Sequence, residues 1–98
     1  MAAFPKWPLI YVEWDDSCGG SQWVPLDGET PDNKPMPCRS VGWLAKKDKR
    51  ALTLYSDLAA LAQNKHPSGH SEQTIPMGCV TRIVKIKQPK GENSRREP

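Results

Sequence analysis

Arg39-Ser40-Val41-Gly42-Trp43-Leu44-Ala45, the polar run Lys46-Lys47-Asp48-Lys49, and then Arg50-Ala51-Leu52-Thr53-Leu54-Tyr55 form the stretch that decides the fold. Both flanks alternate with the period of two that a strand requires. The polar run turns about Asp48 and makes the pair a hairpin. On the first flank Val41, Trp43 and Ala45 share one face and Ser40, Gly42 and Leu44 the other. The expectation is that Trp43 anchors the core against Leu52 and Leu54 of the returning strand, with Thr53 and Tyr55 outward. Gly42 inside a strand marks a bend or a close backbone approach, as the corners of small barrels need.

Working outward, Leu9-Ile10-Tyr11-Val12-Glu13-Trp14-Asp15 reads as an earlier strand with Ile10, Val12 and Trp14 on one face. Pro5 and Pro8 stand before it, and Asp16-Ser17-Cys18-Gly19-Gly20-Ser21 ends it in a turn. Between Trp23 and Pro37 the prolines Pro25, Pro31, Pro35 and Pro37 predict a long Pro-rich loop over 24–37. After the hairpin, 57–63 is expected to form one short helix capped by Ser56 or Asp57. A short strand over 72–75, a tight helical turn over 77–81 and a last strand over 81–87 follow. In that last strand Val84 and Ile86 are expected to be buried and Lys85 and Lys87 wet. Residues 1–8 are then an N-terminal extension, 9–87 a small β-barrel domain, and 88–98, with no apolar residue to bury, a disordered basic tail.

The 98 residues suffice for one domain, and the 37% hydrophobic content with four Trp is enough for one modest core. No apolar run approaches the ~18 residues of a membrane span, and no basic segment followed by a long apolar stretch opens the chain, so neither a membrane partner nor a secretory leader is expected. The net charge of +3 is unevenly distributed. Residues 1–45 carry −3, with Glu13, Asp15, Asp16, Asp27, Glu29 and Asp32 outweighing three cations, whereas 46–98 carry +6. Lys46, Lys47, Lys49 and Arg50 gather at the hairpin tip, as a solvated turn or as a phosphate-binding corner.

Catalytic and metal chemistry find little support. Cys18, Cys38 and Cys79 lack the paired spacing of a structural zinc site, and His66 and His70 sit in a Pro/Gly loop that enforces no convergence. A Cys18–Cys38 disulfide would close the loop, but an odd cysteine count without an export signal favours reduced thiols. Asp15 and Asp16 are adjacent and so point to opposite faces, and no phosphate loop, nucleophile elbow or zinc-protease helix is present. No enzyme, metal or cofactor is expected. Trp14 is a core residue by its position, whereas Trp7 and Trp23 flank Pro-rich segments and are candidate partner-binding residues, with Asp15 and Asp16 beside them.

Three pieces carry a family likeness: Val12-Glu13-Trp14-Asp15-Asp16-Ser17, followed by Gly and a Trp; Cys38-Arg39-Ser40-Val41-Gly42-Trp43-Leu44 leading into Leu52-Thr53-Leu54; and Thr74-Ile75-Pro76 with Val80 and Ile83 behind. Together these resemble small uncharacterised proteins of tailed bacteriophages and prophages. The second and third pieces also resemble the two halves of SH3-like and Sm-like barrels. The likeness implies a mainly β, five-stranded barrel. It also implies a non-enzymatic accessory protein in the host cytoplasm that inhibits or redirects a host or defence protein, bacterial immunity included. The alternative it implies is an Sm-like oligomer that binds nucleic acid or a signalling nucleotide.

Overall fold

A computed structural model describes residues 3–17, 19, 21, 23–28, 33–60 and 65–90. Five strands, β1 (Leu9–Asp16), β2 (Met36–Lys47), β3 (Ala51–Ala59), β4 (Ser68–Pro76) and β5 (Val80–Ile86), form one antiparallel sheet in the order β4-β3-β2-β1-β5. A 3₁₀ turn, Met77–Cys79, joins the two edge strands, and its first N–H donates to the Arg50 carbonyl at 2.9 Å. No pairing links β4 to β5, so the sheet curls without closing.

The interior follows from the strand alternation. Ile10, Val12, Leu52, Leu54 and Ile75 are at most 2% exposed, and Trp14, Leu44, Met77, Cys79, Val80 and Ile83 pack around them. Burying each of the five stabilises the fold by about 1.5–3 kcal/mol. Only a small side chain fits between β1 and the β2–β3 crossing, and Gly42, opposite Ile10, meets that need. A Cβ on Gly42 would stand 2.9 Å from the Tyr55 carbonyl oxygen and 3.1 Å from the Leu54 Cβ. The close approach expected of Gly42 is therefore present.

That glycine also reverses the face expected for β2. Register puts Leu9 opposite Trp43 and Tyr11 opposite Val41, so Trp43 and Val41 lie on the outer face while Gly42 and Leu44 point inward. Trp43 is not the core anchor. Both sets of alternating residues in β2 contain apolar side chains, and the larger set was the misleading one: curvature at the bend leaves no room inside for an indole. Ala45 is the extra residue of a bulge between Leu44 and Lys46 and faces no partner in the register.

β5 carries the same correction. Ile83, opposite Val12, packs on the core, while Val84 and Ile86 stand opposite Tyr11 and Leu9 on the outer face, with Val84 37% exposed. Nor does the helix expected over 57–63 begin at residue 57. β3 runs on to Ala59, pairing Asp57 with His70 and Leu58 with Gly69 across an early-starting β4, and residues 61–64 lie outside the described set. Cross-strand pairing outweighs a helical propensity spread over only seven residues. Pro37 lies inside β2, in the half that pairs with β1 alone, where its missing N–H interrupts no second ladder.

Candidate functional site

Three strands set out a grid on the outer face. Its first row is Trp43, Leu9 and Ile86, its second Val41, Tyr11 and Val84, and its third Arg39, Glu13 and Arg82. Residues directly opposite on neighbouring strands have Cβ atoms about 4.5–5.5 Å apart, so the first two rows make a continuous apolar surface. Val41, in the β2 column of this surface, is 53% exposed. A sheet that is apolar on both faces has one more hydrophobic face than its own core uses, which is the usual mark of an interaction surface.

The first row extends to Tyr55 on β3 and Glu72 on β4. Trp7 stacks on the Tyr55 ring, centroids 6.1 Å apart and planes at 18°. The Tyr55 ring also covers the bare backbone of Gly69, where a Cβ would meet it at 2.6 Å. Gln88 fixes this corner: its side-chain N–H donates to the Trp7 carbonyl at 2.9 Å, and its Oε1 accepts from Trp43 Nε1 at 3.0 Å. Leu44 N–H donates to the Pro8 carbonyl at 2.8 Å. The extension is thus held on the sheet, and contacts continue one residue past Lys87.

The third row is charged and loosely coupled. Tyr11 donates to Glu13 Oε2 at 2.6 Å, and Arg39 and Arg82 approach the same carboxylate at 3.8 and 3.9 Å. The Glu13 carboxylate raises the Tyr11 phenol above its ordinary pKa, chiefly because the hydrogen bond needs the proton. Tyr55, donating to Glu72 at 2.7 Å, is raised for the same reason. Two guanidiniums around one carboxylate leave this edge of the apolar surface net positive.

The residues singled out from sequence are dispersed. Trp7 belongs to the aromatic corner. Asp15 and Asp16 stand at the far end of β1, roughly 25–30 Å away at about 3.3 Å per residue. Asp15 lines a depression of about 600 Å³ with Glu13, Trp14, Pro37, Cys38, Arg39 and Thr81, and Asp16 accepts from the Ser17 N–H at 2.8 Å. Trp23 is fully exposed, as is Leu26 at 95%. Lys46 and Arg50 border a second depression, about 460 Å³, floored by Thr53 and Thr74, whereas Lys47 and Lys49 do not line it. Asp48 occupies its rim and accepts from the Arg50 and Ala51 N–H groups at 2.8 and 3.0 Å, which holds its carboxyl below the ordinary value.

Sequence reasoning did not single out Tyr11, Val41, Val84 and Tyr55 for the face. The signal was present in the apolar residues that alternate on both sides of β2 and β5. Cys38 and Cys79 are free thiols, and Cys18, hence the bridge weighed for it, lies outside the described residues. Among the described residues no group of three His, Cys, Asp or Glu converges to hold a metal. Ser56, Asp57, His70 and Ser71 do meet on the surface. However, Asp57 Oδ2 and Ser71 Oγ both approach His70 Nδ1, at 3.4 and 3.0 Å, whereas a hydrolytic triad needs one at each ring nitrogen. The hydrogen bonds from Ser56 and then His70 lower the Asp57 pKa. Among the described residues no helix is long and apolar enough to cross a membrane.

No protein-family model, curated protein or solved structure matches the chain.

Proposed function

We propose that this chain is a non-enzymatic protein-binding module that docks its partner on the outer face of β1, β2 and β5. The observation that carries the reading is the apolar grid outside the core, in which Val41 and Val84 are exposed and Trp43, Leu9, Ile86 and Tyr11 half-buried. Large aromatic anchors beside a polar rim are the composition from which binding energy is concentrated in a few residues. The strand order, with a 3₁₀ turn between the edge strands, supports an SH3-like or Sm-like barrel as the fold type. The likeness of residues 9–87 to tailed-phage proteins supports a host or defence protein as the partner and the host cytoplasm as the place of action.

A second reading is supported by Lys46 and Arg50 beside the Thr53–Thr74 pair: a phosphate-bearing ligand, nucleic acid or nucleotide, at the hairpin. Asp48 on the same rim weakens it. The experiment is capture of partners from bacterial lysate, with nucleic acid digested in a parallel sample, by the wild-type chain, by Trp43→Ala, and by a variant with Lys46, Lys47 and Lys49 reversed to Glu. Loss with Trp43→Ala alone is the expected result. Loss confined to the charge variant, with nucleic acid co-purifying and a log–log salt slope of about 0.9 per phosphate neutralised on a duplex, would instead favour the hairpin.

A further inference from the structure

We propose that the free edge of β5 receives an extended, acidic segment of the partner protein as a sixth strand. The inference rests on the outer face being the docking surface, and it specifies the chemistry of what docks there.

Among the described residues β5 pairs with β1 on one side only, so every second residue turns an N–H and a C=O outward with no described strand to meet them. Its only irregularity is confined to Thr81, skipped in the register between Glu13–Arg82 and Trp14–Val80 and tied down by its hydroxyl to the Glu13 carbonyl at 3.1 Å. Residues 82–86 form a regular edge without Gly or Pro. The opposite edge is unsuited to pairing. β4 contains Gly69, a Ser71 with φ of 59°, and a terminal Pro76 that has no N–H to give.

Charge selects the incoming strand. Residues 80–90 carry Arg82, Lys85, Lys87 and Lys90 and no carboxylate. Edge cations commonly repel indiscriminate strand pairing, and the same charges admit a strand bearing Asp or Glu opposite them. Arg82 gives up little to do so, since its pair with Glu13 spans 3.9 Å and its side chain is 65% exposed. On the outer face the newcomer sits beside Val84 and Ile86, extending the apolar grid by one column about 4.8 Å further out. Read antiparallel against Ile86 down to Arg82, the complementary segment is apolar, acidic, apolar, apolar, acidic. Its carboxylates then lie opposite Lys85 and Arg82.

The probe is an end-blocked peptide with the core Val-Glu-Val-Val-Glu, compared with its Lys-for-Glu counterpart and with a copy N-methylated at alternate peptide nitrogens. Binding is read by titration and by amide hydrogen exchange on the intact chain. Strand addition predicts that the acidic peptide slows exchange of the outward β5 amides. The Lys peptide should bind roughly tenfold or more weakly, as two favourable cross-strand pairs become repulsive. The N-methylated peptide should lose most of its affinity, because main-chain hydrogen bonds hold an added strand. Arg82→Glu combined with Lys85→Glu changes only exposed edge residues and should invert the preference to the Lys peptide. Equal binding of the N-methylated peptide, or unslowed β5 amides, overturns strand addition; if partner capture still fails with Val41→Lys, the face reading survives. If peptide binding behaves as predicted while capture ignores Val41→Lys, the face reading fails and takes this inference with it. β5 protection that rises with protein concentration alone assigns the edge to a second copy and also overturns the proposal.

Discussion

Gly42 sets the character of both faces. With the Tyr55 carbonyl 2.9 Å from where a methyl would stand, Gly42→Ala must move backbone rather than a pliable side-chain tip. Overpacking of this kind costs about 1–3 kcal/mol. A chemical-denaturation midpoint that falls correspondingly, with an unchanged denaturant dependence, is the expected outcome. Trp43 behaves differently from a core residue of its size. Leu54→Ala, which empties a site 2% exposed, should cost about 2–5 kcal/mol, and Trp43→Ala clearly less, since the indole covers a surface and its Nε1–H meets Gln88 at 3.0 Å. The same two denaturation curves check this order, and a larger loss for Trp43→Ala would return that residue to the interior.

The β2–β3 hairpin is closed by one carboxylate. Asp48 accepts from two backbone N–H groups, which lowers its folded pKa, so its contribution is complete above its unfolded value and disappears as pH falls through the depressed folded value. Asp48→Asn keeps an acceptor but removes the titration. The stability of the variant should fall less steeply below pH 4 than that of wild type, and parallel curves would show that the cap adds nothing. The strands themselves were legible where the second face carries polar residues: β1, with Ile10, Val12 and Trp14 set against Leu9, Tyr11, Glu13 and Asp15, and β3, with Leu52 and Leu54 set against Thr53 and Tyr55, read correctly. β2 and β5 did not, because Val41 and Trp43, or Val84 and Ile86, compete with an apolar residue on the other face. Period alone carries no sign. The 57–63 segment misled for another reason: its short-range helical pattern carries no trace of the β4 residues, His70 and Gly69, with which β3 pairs.

The two termini meet across the sheet. Trp7 and Gln88, 81 residues apart, are joined through the Trp7 carbonyl, and both contact the aromatic corner built on Trp43 and Tyr55. Residues 91–98 contain no apolar side chain, and removing them should leave thermal stability nearly unchanged. Removing 88–98 should lower it, each lost hydrogen bond contributing about 0.5–1.5 kcal/mol. Equal melting temperatures for the two truncations would show that the Gln88 bridge adds no stability. Of the candidate site residues singled out from sequence, only Trp7 lies at the corner of the docking face, and the hairpin cations lie apart from it. The docking face depends on register, which sets Tyr11 beside Val41, 30 residues away, and beside Val84, 73 residues away, in one row. No local pattern encodes that row.

The central claim is that one face of the sheet folds the chain and the other is reserved for a partner. The most direct measurement takes the Val41→Lys/Val84→Lys double variant and determines its unfolding free energy beside its capture of the wild-type partner. The account predicts a stability within about 0.5 kcal/mol of wild type, as for exposed substitutions away from packed features, together with loss of capture. A drop comparable to that of a core truncation, or undiminished capture by a folded variant, would contradict it.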